Sequence, residues 1–334
     1  MNTPSKKQWL SSYEEPTHVH SFSMPDNIKK ALAKELIIAV NNTIGMDIAA
    51  QISMSESIAK KAFSLSKDFE NDYEKLISDP AVAAIYIDNL PSFTGITKFA
   101  LNRLLALVLG VRFGMPFQFR EQHNGILVPE LTPKKGSIGN TNSSPEDFGS
   151  HTDDAYIDAK FRTKYIGLLG VENEQHTPTG YSPIARIVES LSEREIDILK
   201  QPVFQFRQPF SFVTDSDNKW SESKPIIYFD EHGLLSVQCP TYNTRIDPNC
   251  EIGVQRVFEK FKKVVEESVN WVIVDPSTYF IFKNDKGLHQ RKAIGGKRTI
   301  FRTYWHDNLA RLMSKAGHTG FVFSLSDLKD DTRD

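Results

Sequence analysis

His151–Asn173, HTDDAYIDAKFRTKYIGLLGVEN, runs from a polar His-x-Asp into the apolar stretch Tyr165–Val171 (YIGLLGV). An apolar run that short reads as a buried strand. Five further runs of the same kind follow: Pro225–Phe229 (PIIYF), Leu234–Gln238 (LLSVQ), Trp271–Val274 (WVIV), Tyr279–Phe282 (YFIF) and Thr299–Trp305 (TIFRTYW). Turn signals separate them, among them Asp275-Pro276-Ser277, Asn284-Asp285-Lys286-Gly287 and Gly295-Gly296. Two helical patterns, Ser182–Leu199 and Val254–Asn270, interrupt the series. Many short strands with long insertions predict a mainly β core, a jelly roll or barrel decorated with helices.

Upstream the pattern is helical. Asn27–Asn42 (NIKKALAKELIIAVNN) follows Pro25-Asp26 and repeats Ala31, Leu32, Leu36, Ile37 and Val40 at helical spacing. Ser55–Leu76 reads as a charged amphipathic stretch, and Thr97–Val111 as a more buried helix. Their one-sided apolar faces call for something to pack on. The chain therefore divides into a helical region, 1–115, lying on a β-rich core with helical insertions, 116–334, the two expected to form one unit.

Composition narrows the class. The 334 residues carry 40 basic and 42 acidic side chains, a net charge of −2, with no run of five like charges. That argues against a broad phosphate-tracking surface, so no nucleic-acid partner is expected. The longest apolar stretch, Leu104–Val111, falls far short of the ~20 residues a membrane span needs. Lys6-Lys7 is followed by Gln8-Trp9-Leu10, which is no secretory signal. Two cysteines, Cys239 and Cys250, cannot build a disulfide scaffold and suit a reducing cytoplasm. A soluble, cytoplasmic protein is expected.

The chemistry concentrates at Gly149-Ser150-His151-Thr152-Asp153-Asp154-Ala155. On an extended strand, positions i and i+2 share a face, so His151 and Asp153 would present an imidazole and a carboxylate together. Asp154 would face the other way, solvated or serving as an acceptor behind the ligands. His289, in Gly287-Leu288-His289-Gln290-Arg291, supplies a second imidazole. Two histidines and a carboxylate are the ligand set of a facial triad. Arg298 and Arg302, four apart, would share the face of Ile300. Two arginines inside a barrel need anions to pair with. Taken alone, the same spacing also fits a surface strand with solvated arginines.

Together these residues resemble the iron(II)/2-oxoglutarate oxygenases of the clavaminate synthase-like group. That group is similar to taurine dioxygenase and includes hydroxylases of free amino acids. His151, Asp153, His289 and Arg298 match its pattern in order and spacing, Arg302 matches its second arginine, and Thr179-Gly180-Tyr181-Ser182 its Thr-x-x-Ser. The resemblance runs from about Gln122 to Arg302. It implies a distorted jelly roll (double-stranded β-helix) and Fe(II) held by His151, Asp153 and His289. It implies 2-oxoglutarate and O2 as cosubstrates, with Arg298 and the Thr179 hydroxyl on the distal carboxylate of 2-oxoglutarate. The expected reaction hydroxylates the side chain of a free L-amino acid or close derivative, releasing succinate and CO2. A sulfonate or other small acid as substrate, or a non-catalytic metal-binding sensor, are the competing readings.

The substrate side is thinner. The resemblance places Arg302 on the substrate carboxylate, Gln122 near its amino group and Asp247, in Thr241–Cys250, near its side chain. Gln122 equally fits an ordinary strand glutamine. Lys134–Phe148, long and polar, is a candidate lid. His18 and His20 read as loop residues, and His123, His176, His232, His306 and His318 show no partner in sequence.

Overall fold

The computed structural model describes residues 19–43, 45–134, 136–137, 142–209, 220–250 and 252–328. Two sheets carry the architecture. The larger has eight strands, in the order Val19–Ser23, Ala84–Asp88, Tyr279–Lys283, Tyr165–Asn173, Arg298–His306, Met115–Phe119 and Val322–Phe323; Glu130–Leu131 also pairs with Arg298–His306. The smaller has four, Asn270–Ile273, Pro178–Pro183, Gly287–Arg291 and Phe148–His151. The sheets do not close into one continuous barrel.

Side-chain alternation on Arg298–His306 divides the interior. Phe301 and Trp305 enter one core with Leu101, Leu105 and Val108 of the helix Lys98–Gly110. Ile300 and Tyr304 enter another that joins both sheets through Ile166, Phe282 and Tyr181. A Cβ on Gly110 would collide with the Trp305 indole, so glycine lets the helix end lie flush on the sheet. Beyond the smaller sheet, Leu288 joins Val257, Phe261 and Val265 of the helix Ile252–Glu267.

Several elements differ from the sequence expectation. The stretch Ser55–Leu76 is two helices, Ile48–Phe63 and Lys67–Ser78. The Ser66 hydroxyl accepts from the Phe69 amide at 3.4 Å, starting a new helix where apolar periodicity had suggested continuation. Ser182–Leu199 likewise breaks into Ile184–Glu189 and Glu193–Leu199, the second opened by a Ser192–Glu195 capping box. The first third is not helical throughout. Val19–Ser23 pairs in parallel with Ala84–Asp88, which continues the larger sheet onto Tyr279–Lys283. His20 lies on that strand rather than in a loop, and His18 lies outside the described residues. Among the described residues no helix is long and apolar enough to cross a membrane.

Candidate active site

His151 and His289 are cross-strand partners. Phe148–His151 pairs antiparallel with Gly287–Arg291, with His289 opposite His151 and the ring centroids 4.1 Å apart. Asp153 arrives differently from the expectation. The strand ends at His151 and the chain turns through 153–156. Asn284 fixes that turn, accepting from the Asp153 amide (2.9 Å) and donating to its carbonyl (3.0 Å). Asp153 Oδ1 then lies 3.3 Å from His151 Nε2 and 3.6 Å from His289 Nε2. The three donor atoms all fall within 4.8 Å of one another. Facial ligands about 2.1 Å from a metal stand roughly 3 Å apart, so this set fits one ion.

Protonation favours ligation. His151 Nδ1 lies 2.8 Å from the Gly149 carbonyl, which can only accept; Nδ1 therefore carries a hydrogen, and Nε2 is the nitrogen turned toward Asp153. Burial, reinforced by the adjacent His151, pulls His289 down to about 3, keeping it neutral. Burial alone would raise the Asp153 carboxyl. Contact with His151, the proximity of His289 and the positive charge of Arg302 outweigh it and hold Asp153 well below the usual carboxylate range. Its outer oxygen, Oδ2, accepts from the Tyr304 hydroxyl at 2.5 Å and lies 3.4 Å from Arg302 Nη1.

Two cavities flank this centre. The wider, about 300 Å3, is lined by Gln122, Asp154, Tyr156, Tyr242, Arg302 and Tyr304, with Asp153 and His151 in its wall. Arg302 Nη2 donates to Gln122 Oε1 (2.9 Å), and Gln122 Nε2 lies 3.4 Å from Asp154 Oδ1. Asp154 is 4% exposed, so the solvated reading falls. Its φ of 61° turns the side chain back inward, a geometry that aspartate tolerates better than most residues. Burial and the Asp153 charge push its carboxyl up to about 7.

The narrower cavity, about 40 Å3, is lined by Thr179, His289, Arg291, Arg298, Ile300 and Arg302 among others. Even spacing thus does put both arginines on one face, with Ile300 between. Arg298 forms no ion pair with any described residue. Its Nη2 donates to Thr179 Oγ1 at 3.1 Å, and its Nε is buried without a partner among the described residues. Burial, then the nearby Arg291 charge, lowers it to about 9. Such a cation calls for an anion in the adjoining space.

Asp247 lines neither cavity; its Oδ1 accepts from the Asn249 amide (2.9 Å) and side chain (3.0 Å), closing a local turn. In the candidate lid, Asn142 and Ser143 line the wider cavity and Lys134 N donates to Ser143 O at 2.9 Å. Residues 135 and 138–141 of that loop lie outside the described residues. Sequence reasoning missed Asn284, Tyr304, Arg291 and His123. His123 lines the wider cavity, and burial lowers it to about 4. Only Tyr304 carried a readable signal, the same-face spacing from Arg302.

No family model matches the sequence, and no curated protein does. Solved structures match over nearly the whole chain. An asparagine oxygenase in complex with Fe(II), 2S,3S-3-hydroxyasparagine and succinate superposes with a TM-score of 0.80 at 16% identity, covering 91% of this chain and 99% of that one. The chain has the fold of the non-heme iron oxygenases. A non-heme iron oxygenase, OrfP, with Fe, succinate and (3S)-hydroxy-L-Arg matches at 0.78 and 18% identity, covering 91% and 99%. OrfP with Fe and alpha-ketoglutaric acid matches at 0.76 and 18%, covering 89% and 98%. The jelly-roll expectation is borne out at the level of fold.

Proposed function

We propose that the chain is an iron(II)- and 2-oxoglutarate-dependent oxygenase that hydroxylates the side chain of a free L-amino acid or close derivative. One observation carries the reading: the three donor atoms converge between two cavities, each furnished with a buried arginine. His151, Asp153 and His289 would hold Fe(II). Arg298 and Thr179 would hold the distal carboxylate of 2-oxoglutarate in the narrow cavity. Arg302 would receive the substrate carboxylate in the wider one. Iron bound there, with 2-oxoglutarate and O2, supplies the oxidant that inserts oxygen into a C–H bond.

The chain's own residues set the conditions. Two neutral histidines, Asp153 and 2-oxoglutarate sum to −3; Fe(II) and Arg298 sum to +3, so the filled site is neutral, as a water-poor pocket requires. Tyr304 holds Asp153 Oδ2, leaving Oδ1 toward the histidines. The Asn284 clamp fixes the turn that delivers Asp153. A volume of about 300 Å3 is the low end for a small-molecule site and suits an amino acid. The products carried by the superposed oxygenases are hydroxylated amino acids, which favours that class over a sulfonate. Two free cysteines, one of them buried, suit a cytoplasmic enzyme.

Incubation with Fe(II), 2-oxoglutarate, O2 and each proteinogenic L-amino acid tests the reading. One of them should gain an oxygen atom while succinate forms in equal amount. Oxygenation of a sulfonate alone, or metal binding without succinate from any small acid, would overturn it.

A further inference from the structure

A third cavity, of about 260 Å3, lies behind the turn that carries Asp153, with Arg162, Lys164, Tyr228 and Asn284 in its wall. None of His151, Asp153 and His289 lines it. Thr152, which stands between His151 and Asp153, lines both this chamber and the wider cavity.

Arg162 is 7% exposed and forms no ion pair with any described residue. Its Nε (3.1 Å) and Nη2 (2.9 Å) donate to the Ile157 carbonyl, and Nη2 donates also to Gln238 Oε1. Those bonds spend every hydrogen on Nε and Nη2. Nη1 keeps both of its hydrogens, without a partner among the described residues. Unlike the Nε atoms of Arg298 and Arg302, it is not sealed off, and this chamber is the space that Arg162 borders. A second cation crowds it: Lys224 Nζ donates to the same Ile157 carbonyl at 2.6 Å. Burial, then the Arg162 charge, lowers Lys224 to about 7. Neither cation has a carboxylate in contact among the described residues.

The carboxylates of the wall are engaged elsewhere. Asp230 lies 2.7 Å from Lys286, and Asp285 turns one oxygen toward the same lysine (3.9 Å) and buries the other. Asp158, Glu231 and Asp307 pair with Lys160, Arg311 and His306, and all three are more than half exposed, where water screens them. Lys164, like Arg162, makes no ion pair with any described residue. A buried guanidinium with an open donor pair and no counter-charge calls for an anion.

We propose that this chamber is a second ligand site, which takes a small metabolite through an oxyanion, carboxylate or phosphate, on Arg162 Nη1, with Lys164 as the second cation. The site stands apart from the oxygenase reading, since it uses none of the residues assigned to iron, cosubstrate or substrate. Arg162 and Lys224 both hold the Ile157 carbonyl, so an occupant would also steady the turn that delivers Asp153.

Hydrogen exchange read by mass spectrometry on the full-length, metal-free protein tests this. Inorganic phosphate and acetate serve as probes, with ionic strength held constant by sodium chloride. Peptides over 158–164 and 226–231 border this chamber and neither of the other two cavities. At least one probe should slow their exchange, and the slowing should extend through 153–157. The stronger probe tells a phosphoryl ligand from a carboxylate one. Arg162→Met should raise the half-saturating concentration at least about tenfold, the worth of one charge-assisted bond. Lys164→Ala, at a partly exposed residue, should raise it about two- to fivefold. No slowing by either probe, equal slowing by chloride alone, or slowing that survives Arg162→Met would overturn the proposal. If Arg162→Met fails to fold, undiminished slowing in Lys164→Ala would overturn it equally. Slowing confined to 288–302 would place the anion on Arg298 and refute the second site.

Discussion

Replacing Arg298 with alanine should raise the KM for 2-oxoglutarate by about 30- to 150-fold. Removing one partner of a buried, hydrogen-bonded charge pair costs ~2–5 kcal/mol. The lower half of that range applies because Arg291, whose charge helps bring Arg298 down to about 9, remains beside the cavity. About 2–3 kcal/mol at 1.36 per tenfold gives the stated factor. Lysine should rescue only in part, since an ammonium lacks the fork. The ligand-free protein should respond in the opposite sense. Arg298 is then a buried cation, 6% exposed, held among the described residues by one neutral hydrogen bond to Thr179. Arg298→Met keeps the stem and removes the charge, so it should stabilise by about 1–2 kcal/mol and raise Tm by a few degrees. Succinate release against 2-oxoglutarate concentration measures the first effect, and thermal unfolding without ligands the second. An unchanged KM would move the carboxylate elsewhere; a raised KM with a lowered Tm would make Arg298 a structural residue.

Tyr304→Phe removes the 2.5 Å bond to Asp153 Oδ2 and should weaken iron binding about 10- to 100-fold, read by metal titration; unchanged affinity would show that Asp153 needs no support. His289→Ala should abolish succinate release while the metal-free protein keeps its circular dichroism, and wild-type turnover in that variant would sink the ligand set. Metal-free stability should fall on acidification from pH 6.5 to 5. His289 and His123, lowered to about 3 and 4, stay neutral in the fold while their unfolded counterparts take up protons; Asp154, raised to about 7, offsets one of the two. The net of one proton, trimmed because His123 is only half-buried, is worth roughly 1 kcal/mol per pH unit. Urea unfolding that is flat or stronger at pH 5 would contradict this.

What could be read along the chain was short-range. Alternation on Arg298–His306 places Arg298, Ile300, Arg302 and Tyr304 toward the interior and Phe301 and Trp305 toward the helices, as period-two spacing requires. The rest depends on distant partners. That His151 faces His289 is a matter of register between strands more than a hundred residues apart. The turn that carries Asp153 is fastened by Asn284 and by Lys224, whose Nζ donates to the carbonyls of Tyr156 (3.1 Å) and Ile157 (2.6 Å). Neither residue stands near the motif in sequence. The solvated reading of Asp154 falls because an unbroken strand was assumed where the chain turns; as a buried acceptor behind the ligands it stands. Asp247 sits in a local turn, invisible to a family pattern, whose Asn249 amide its Oδ1 accepts from. Val19–Ser23 (VHSFS) is too polar to declare itself a strand; its partner Ala84–Asp88 makes it one.

The pairing of His289 with His151 ties the proposed metal site to the correctness of the fold. Side chains alternate along a strand, so a slip of one residue in either partner would send one imidazole out among Leu288 and its neighbours, and the ion would lose a ligand outright. If the proposed site holds iron, chains that settle in the wrong register would be blind to it, and only the native arrangement would gain its binding energy. During maturation in the presence of iron, the ion would act as a proofreader, drawing the population toward the one alignment of the smaller sheet that can also perform the chemistry.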